Sequence, residues 1–231
     1  MKRLAFCLVV LAQAAPGPAT PASAPIGGTI RGNVSVVRNG SIQKAADAWV
    51  YLEEVRHRGP RGPMPGTGIT AEIRQKGKQF VPHVLVIPTG ATVAFPNYDD
   101  EEHNVFSPTD PPGQWDLGRY NTDHKGHTHH FELAEEIDVY CDIHKEMWAK
   151  VKVVDSAFIA AVTNGKFELA NVPPGTYKVI AWTPNSAETK SSIVKLQAVG
   201  DVQTIEELHV EAGEAAPHHR KDGSSYGLYK P

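Results

Sequence analysis

The chain has very little sulfur: two cysteines and three methionines in 231 residues. Cys7 lies inside the apolar run Leu4–Ala12, which follows Lys2-Arg3 and is too short to span a bilayer. That run, followed by small residues, reads as a secretory signal peptide. Two small-x-small sites could end it, Ala12-Gln13-Ala14 and Ala22-Ser23-Ala24, and Pro25 after the second disfavours cleavage there. The expected signal peptide is therefore residues 1–14, and the mature chain keeps one cysteine, Cys141. A single thiol excludes a disulfide framework within the chain. No other long hydrophobic run follows, so the mature chain has no expected transmembrane segment. The net charge of −3 gives no reason to expect nucleic acid as a partner. Amphipathic helical periodicity and internal repeats are absent. So are a Ser/His/Asp grouping, paired carboxylates in a defined frame and a glycine-rich phosphate loop, and no enzymatic activity is expected.

What remains is strand pattern. Thr29–Val36 alternates apolar with polar, as does Ala48–Leu52, with Asn39-Gly40 between them. Residues 57–68 carry too much glycine and proline for a regular element. Strand pattern resumes over Ala71–Gln75, Val84–Ile87 and Thr92–Phe95. In Ile137–Cys141 a period of two puts Ile137, Val139 and Cys141 on one face. On the returning strand Ala149, Val151 and Val153 share a face, and Lys150 and Lys152 are expected to face water. Asn164-Gly165 predicts a hairpin between Ala161–Thr163 and Lys166–Leu169, because both central residues tolerate positive φ. A further strand pair is expected at Ser192–Leu196 and Thr204–Val210. Residues 15–27 read as a Pro/Ala/Gly linker and 213–231 as a disordered polar tail. The fold class is all-β.

A lone thiol in an oxidising compartment needs protection or a metal, unless it is an inert buried side chain. Its neighbours favour the metal. Cys141-Asp142-Ile143-His144-Lys145-Glu146-Met147, with His103 at a distance, offers one thiolate, two imidazoles and a thioether, a donor set suited to copper cycling between Cu(I) and Cu(II). Taken alone, His103 could be a charged loop residue beside Asp99–Glu102, and Met147 could be core filler. The acidic run reads as a docking patch for a basic partner or as a solvated loop. Ile143 and Trp148 flank His144 and are candidates for partner docking, with packing the alternative for Trp148. The cluster His124–His130 puts His127 and His129 on one strand face, a second metal site or ordinary exposed histidines. His83 reads as structural.

Phe80-Val81-Pro82, Gly90, Val93, Phe95-Pro96-Asn97, His103-Asn104-Val105 and Tyr140-Cys141-Asp142-Ile143-His144 with Met147 together resemble the cupredoxins over residues 71–154. The Cys-x2-His-x2-Met spacing is like that of amicyanin, whereas plastocyanins have a longer gap. The resemblance implies a Greek-key cupredoxin sandwich with one type 1 copper. It implies His103, Cys141 and His144 as equatorial ligands, Met147 as the axial one, and Asn104 tying the ligand loops together. It also implies redox-protein donor and acceptor partners. Residues 28–55 with 156–212 resemble a carboxypeptidase regulatory-like, or transthyretin-like, β-sandwich. This implies a second, smaller, discontinuous sandwich into which the copper domain is inserted. The expected protein is periplasmic or extracellular and carries single electrons. A copper-holding carrier or sensor, and an extracellular binding or structural protein, are the rival expectations. Oligomeric state leaves no signal in the sequence.

Overall fold

The computed structural model describes residues 27–43, 47–56, 69–108, 115–186, 190–214 and 217–226. The expected signal peptide and nearly all of the linker lie outside them. Among the described residues every regular element is a strand, and no helix is long and apolar enough to cross a membrane.

Four sheets form two sandwiches. In the first, Gly28–Arg38 is central, antiparallel to Lys166–Val172 and parallel to Val202–Glu211. Facing it is the sheet Ile159–Ala161, Trp49–Arg56, Gly175–Trp182, Lys190–Leu196, in that order. Ile30, Val34, Leu52, Phe167, Leu169, Val179 and Val210 fill the space between. Alternation explains the strands: Lys166–Val172 buries Phe167, Leu169 and Val172 and exposes Lys166 and Glu168.

The second sandwich holds residues 69–154. One sheet runs Trp115–Tyr120, His103–Ser107, Glu136–Tyr140, Trp148–Val154, Val84–Pro88. The other runs Asp123–Phe131, Ala91–Asn97, Arg74–Gln75, Phe80–Val81, with Ile69–Glu72 also on Ala91–Asn97. Ile73, Phe80, Val93, Phe95, Val105, Ile137, Val139, Cys141 and Met147 share its core. A third cluster joins the sandwiches, with Tyr51, Ile180 and Trp182 packed on Val84, Val86 and Val154. Trp182 Nε1 donates to Glu136 Oε2 at 3.2 Å across the same join.

Three strand expectations change. Asn164 and Gly165 do adopt φ of 53° and 75°, but only Thr163 and Lys166 pair across the turn. Ile159–Ala161 goes to one sheet and Lys166–Val172 to the other, since each buries its apolar face in the same core from opposite sides. Lys190–Leu196 and Val202–Glu211 likewise separate, pairing with Gly175–Trp182 and Gly28–Arg38. Lys150 does not face water. It is buried, ion-paired to Glu136 at 3.2 Å and Asp138 at 2.8 Å, and Lys152 lies 6.0 Å over the Trp182 ring. The first sandwich covers that face, which the strand's own period cannot reveal.

Candidate metal centre

The strands Glu136–Tyr140 and Trp148–Val154 pair antiparallel up to Tyr140↔Trp148. Beyond that pair the chain must turn, and it does so through Cys141–Met147. Cys141 N–H donates to the Met147 carbonyl at 3.1 Å, and Met147 N–H to the His144 carbonyl at 3.1 Å. These two bonds hold Cys141, His144 and Met147 in one tight loop. Ile137, Val139 and Cys141 are all buried on the inner face. The strand His103–Ser107 lies beside Glu136–Tyr140, with Phe106 opposite Tyr140, and delivers His103 to the same end of the sandwich.

There His103 Nδ1 and His144 Nδ1 lie 3.1 Å apart, and Cys141 Sγ is 3.8 Å from His144 Nδ1. One donor atom from each of the three falls within 4.8 Å of the others, the one such His/Cys/Asp/Glu group of three among the described residues. His103 and Cys141 are 0% exposed and His144 6%. Met147 is wholly buried in the core cluster that contains Cys141.

The sulfur accepts hydrogen bonds from Ile143 N–H at 3.4 Å and Asn104 N–H at 3.5 Å. Burial pushes the Cys141 thiol up, but His103 and the N–H groups of Asn104, His144 and Ile143 outweigh it and hold the group below the ordinary thiol value. Burial pulls His103 down, while Cys141 and Asp99 raise it above the usual imidazole value. His144 moves the other way, lowered by burial and then by the charge of His103. Two ring nitrogens and a buried cysteine sulfur facing one another form a donor set suited to a metal of soft-to-borderline character, so these residues fit copper.

Solved cupredoxins superpose on part of the chain. A reduced amicyanin variant matches at 19% identity, covering 45% of this chain and 99% of its own, with a TM-score of 0.34. A purple cupredoxin from Nitrosopumilus maritimus matches at 25% identity over 36% and 99%, TM-score 0.31. A Sinorhizobium pseudoazurin matches at 19% identity over 38% and 75%, TM-score 0.31. No family model matches the chain, and no curated protein does.

The other expected site residues are placed differently. Asn104 links to the cysteine loop through its backbone N–H alone. Its side-chain Nδ2 donates to Asp116 Oδ1 at 2.7 Å and to the Gly118 carbonyl at 2.9 Å, because a register shift between Asp116 and Arg119 brings that turn over it. Trp148 packs at the join between the sandwiches, edge-on to His83 at 4.9 Å. Ile143 is half-buried against the core. His127 stacks on Tyr120 and His129 on Trp115, both at 4.2 Å. The rings thus share a strand face but lie outside the group of three. His83 pairs with Asp47 at 3.1 Å.

Sequence reasoning passed over two features. Asp99 and Glu101 turn inward to the far nitrogens of His103 and His144, at 2.9 and 3.4 Å. Asp100 and Glu102 point outward, so only half of the acidic run is a solvated loop. The spacing of Asp99 four residues before His103 was the available signal. Secondly, the tail expected to be disordered is ordered over residues 217–226. Tyr226 donates its O–H to the Cys141 carbonyl at 2.7 Å, Arg220 Nε to the Asp142 carbonyl at 3.1 Å, and His218 stacks on Tyr140 at 4.2 Å. Polar composition there concealed three side chains with specific partners.

Proposed function

We propose that the chain is a secreted copper protein that carries single electrons between a donor and an acceptor redox protein. His103, Cys141 and His144 would hold one type 1 copper, with Met147 as the axial ligand. The observation that carries this reading is the convergence of two imidazole Nδ1 atoms and one cysteine sulfur, all buried, at one end of the second sandwich. Bound copper would alternate between Cu(II) and Cu(I), accepting and releasing one electron.

The chain's own residues keep that exchange from requiring movement. Backbone bonds within Cys141–Met147 hold the loop whatever the charge at the site. N–H groups of Ile143 and Asn104 spread the negative charge of the sulfur. Burial keeps water from the donors, so little solvent must reorganise when the charge changes. The cupredoxin-like unit would be residues 71–154, within the second sandwich. Among the described residues, strands of 28–56 and 159–211 pair only with one another, which supports a discontinuous outer sandwich over residues 28–55 and 156–212. Its assignment as carboxypeptidase regulatory-like rests on resemblance, as the periplasmic or extracellular location rests on residues 1–14.

A second reading, a carrier or sensor that holds copper without turnover, is favoured by one observation. His144 is only 6% exposed, and residues 217–226 overlie the cysteine loop, which leaves little bare imidazole edge for a partner.

Copper titration of the mature protein, followed by visible and electron paramagnetic resonance spectroscopy, separates the readings. The electron carrier requires stoichiometric uptake, an intense thiolate-to-Cu(II) charge-transfer band and a reversible potential. Cys141→Ser is expected to abolish the band. Tight Cu(I) binding with no reversible couple selects the carrier or sensor, and an absence of stoichiometric binding leaves a structural role.

A further inference from the structure

Each imidazole that faces the Cys141 sulfur has a carboxylate on its far side, and the two carboxylates are held very differently. Asp99 Oδ2 lies 2.9 Å from His103 Nε2. Its own position is locked, since Gly77 N–H donates to Oδ1 at 2.7 Å and Lys78 N–H to Oδ2 at 2.9 Å, and its side chain is 14% exposed. Glu101 Oε2 is 3.4 Å from His144 Nε2, and its side chain is 39% exposed. Lys78 Nζ pairs with Glu101 at 3.1 Å, so solvent and a cation both screen it.

Accepting the Nε2 hydrogen leaves the Nδ1 lone pair of His103 for the centre and makes that nitrogen more electron-rich. It also fixes a negative charge near the donors. A doubly charged cation gains more from that charge than a singly charged one. We propose that Asp99 is a positioning residue that lowers the reduction potential of the copper centre, with Glu101 and Lys78 acting through His144 as a weaker pair of opposite sign. This rests on the copper reading above. It accounts for the inward turn of Asp99 and Glu101 while Asp100 and Glu102 stay exposed.

The test uses the full mature chain and the variants Asp99→Asn, Glu101→Gln, Lys78→Gln and Glu102→Gln. Cu(II) and Cu(I) affinities are measured by competition with chelators of known affinity, and potentials by electrochemical titration. Asp99→Asn is expected to weaken Cu(II) binding roughly 10–100-fold and Cu(I) binding less. The potential then rises by about 59 mV for each tenfold fall in the Cu(II)/Cu(I) affinity ratio. Glu101→Gln raises the potential less, Lys78→Gln lowers it, and Glu102→Gln leaves it in place.

Asparagine at 99 could also loosen the turn at Gly77-Lys78, which the opposed shifts of Glu101→Gln and Lys78→Gln would not imitate. An unchanged affinity ratio in Asp99→Asn with the charge-transfer band intact overturns the proposal, as do shifts of one sign in Glu101→Gln and Lys78→Gln. Wild-type protein that takes up no copper overturns the copper reading and this proposal with it, and that result precedes any comparison of variants.

Discussion

Met147 separates packing from ligation, because a single position is asked to do both. It is wholly buried, shares a cluster with Val139, Cys141 and Ala149, and its backbone closes the loop at both its N–H and its carbonyl. Leucine is close to methionine in volume, so Met147→Leu is expected to cost less than about 1.5 kcal/mol in the metal-free protein. Met147→Ala leaves a cavity where the surrounding strands cannot collapse, and roughly 2–5 kcal/mol is expected. Denaturant unfolding of the metal-free variants measures both, with midpoints read at constant slope. Copper-loaded Met147→Leu should keep its charge-transfer band, since His103, Cys141 and His144 remain, while a thioether that would help hold the copper is lost and the potential should move. The pair of measurements is decisive. A potential identical in Met147→Leu and wild type assigns Met147 to packing alone, and a Met147→Ala protein as stable as wild type removes the packing role.

Three further outcomes follow from contacts outside the donor set. Tyr226→Phe deletes one hydrogen bond to the Cys141 carbonyl, worth about 0.5–1.5 kcal/mol. In metal-free protein the Cys141 thiol should then react with a disulfide reagent roughly 2- to 12-fold faster if local opening limits access. Deleting residues 217–231 should give a larger increase, and unchanged rates in both refute any shielding of the cysteine loop by residues 217–226. The Asp47 hydrogen bond raises His83, against a smaller opposing effect of burial. Its stabilisation is therefore complete below the unfolded imidazole value and is lost as pH rises through the raised folded one. The stability gap between wild type and Asp47→Asn should be largest near pH 6 and shrink by pH 8. It should stay under about 1 kcal/mol because the pair is half exposed, and a gap that grows with pH contradicts the sign. Finally, Trp182→Ala empties the join between the sandwiches and should cost roughly 3–5 kcal/mol. Loss of a single cooperative unfolding transition is the accompanying signature, and an unaltered transition refutes coupling through this residue.

How much of this was legible beforehand depended on whether the deciding contact was local. Cys141, His144 and Met147 sit on one loop, and the alternation Ile137, Val139, Cys141 already pointed the sulfur inward. His103 lies far from them in sequence, linked only by donor chemistry and resemblance, and the structure brings its Nδ1 to 3.1 Å from that of His144. The Asn164-Gly165 turn was legible as a turn because positive φ is a property of those two residues. Which sheet each flanking strand joins was not, because that is settled by partners more than a hundred residues away in Gly28–Arg38 and Trp49–Arg56.

Charge was where local pattern misled most, and for one physical reason. A charged side chain at a strand's polar positions reads as solvated unless another part of the chain covers it. Lys150 fits that pattern yet is buried under the first sandwich, its charge met by Glu136 and Asp138. Asp99 was read as one member of an acidic loop and is instead anchored by two backbone N–H groups against His103. In both cases an ionised group leaves water only where opposite charge or hydrogen-bond donors are already fixed in place. Those partners come from strands and turns distant in sequence. The proposed copper centre would take its donors from a pattern that can be read along the chain. The charges around it are set by what the fold lays over them, so related donor loops placed under different coverings should differ in potential more than in ligand set.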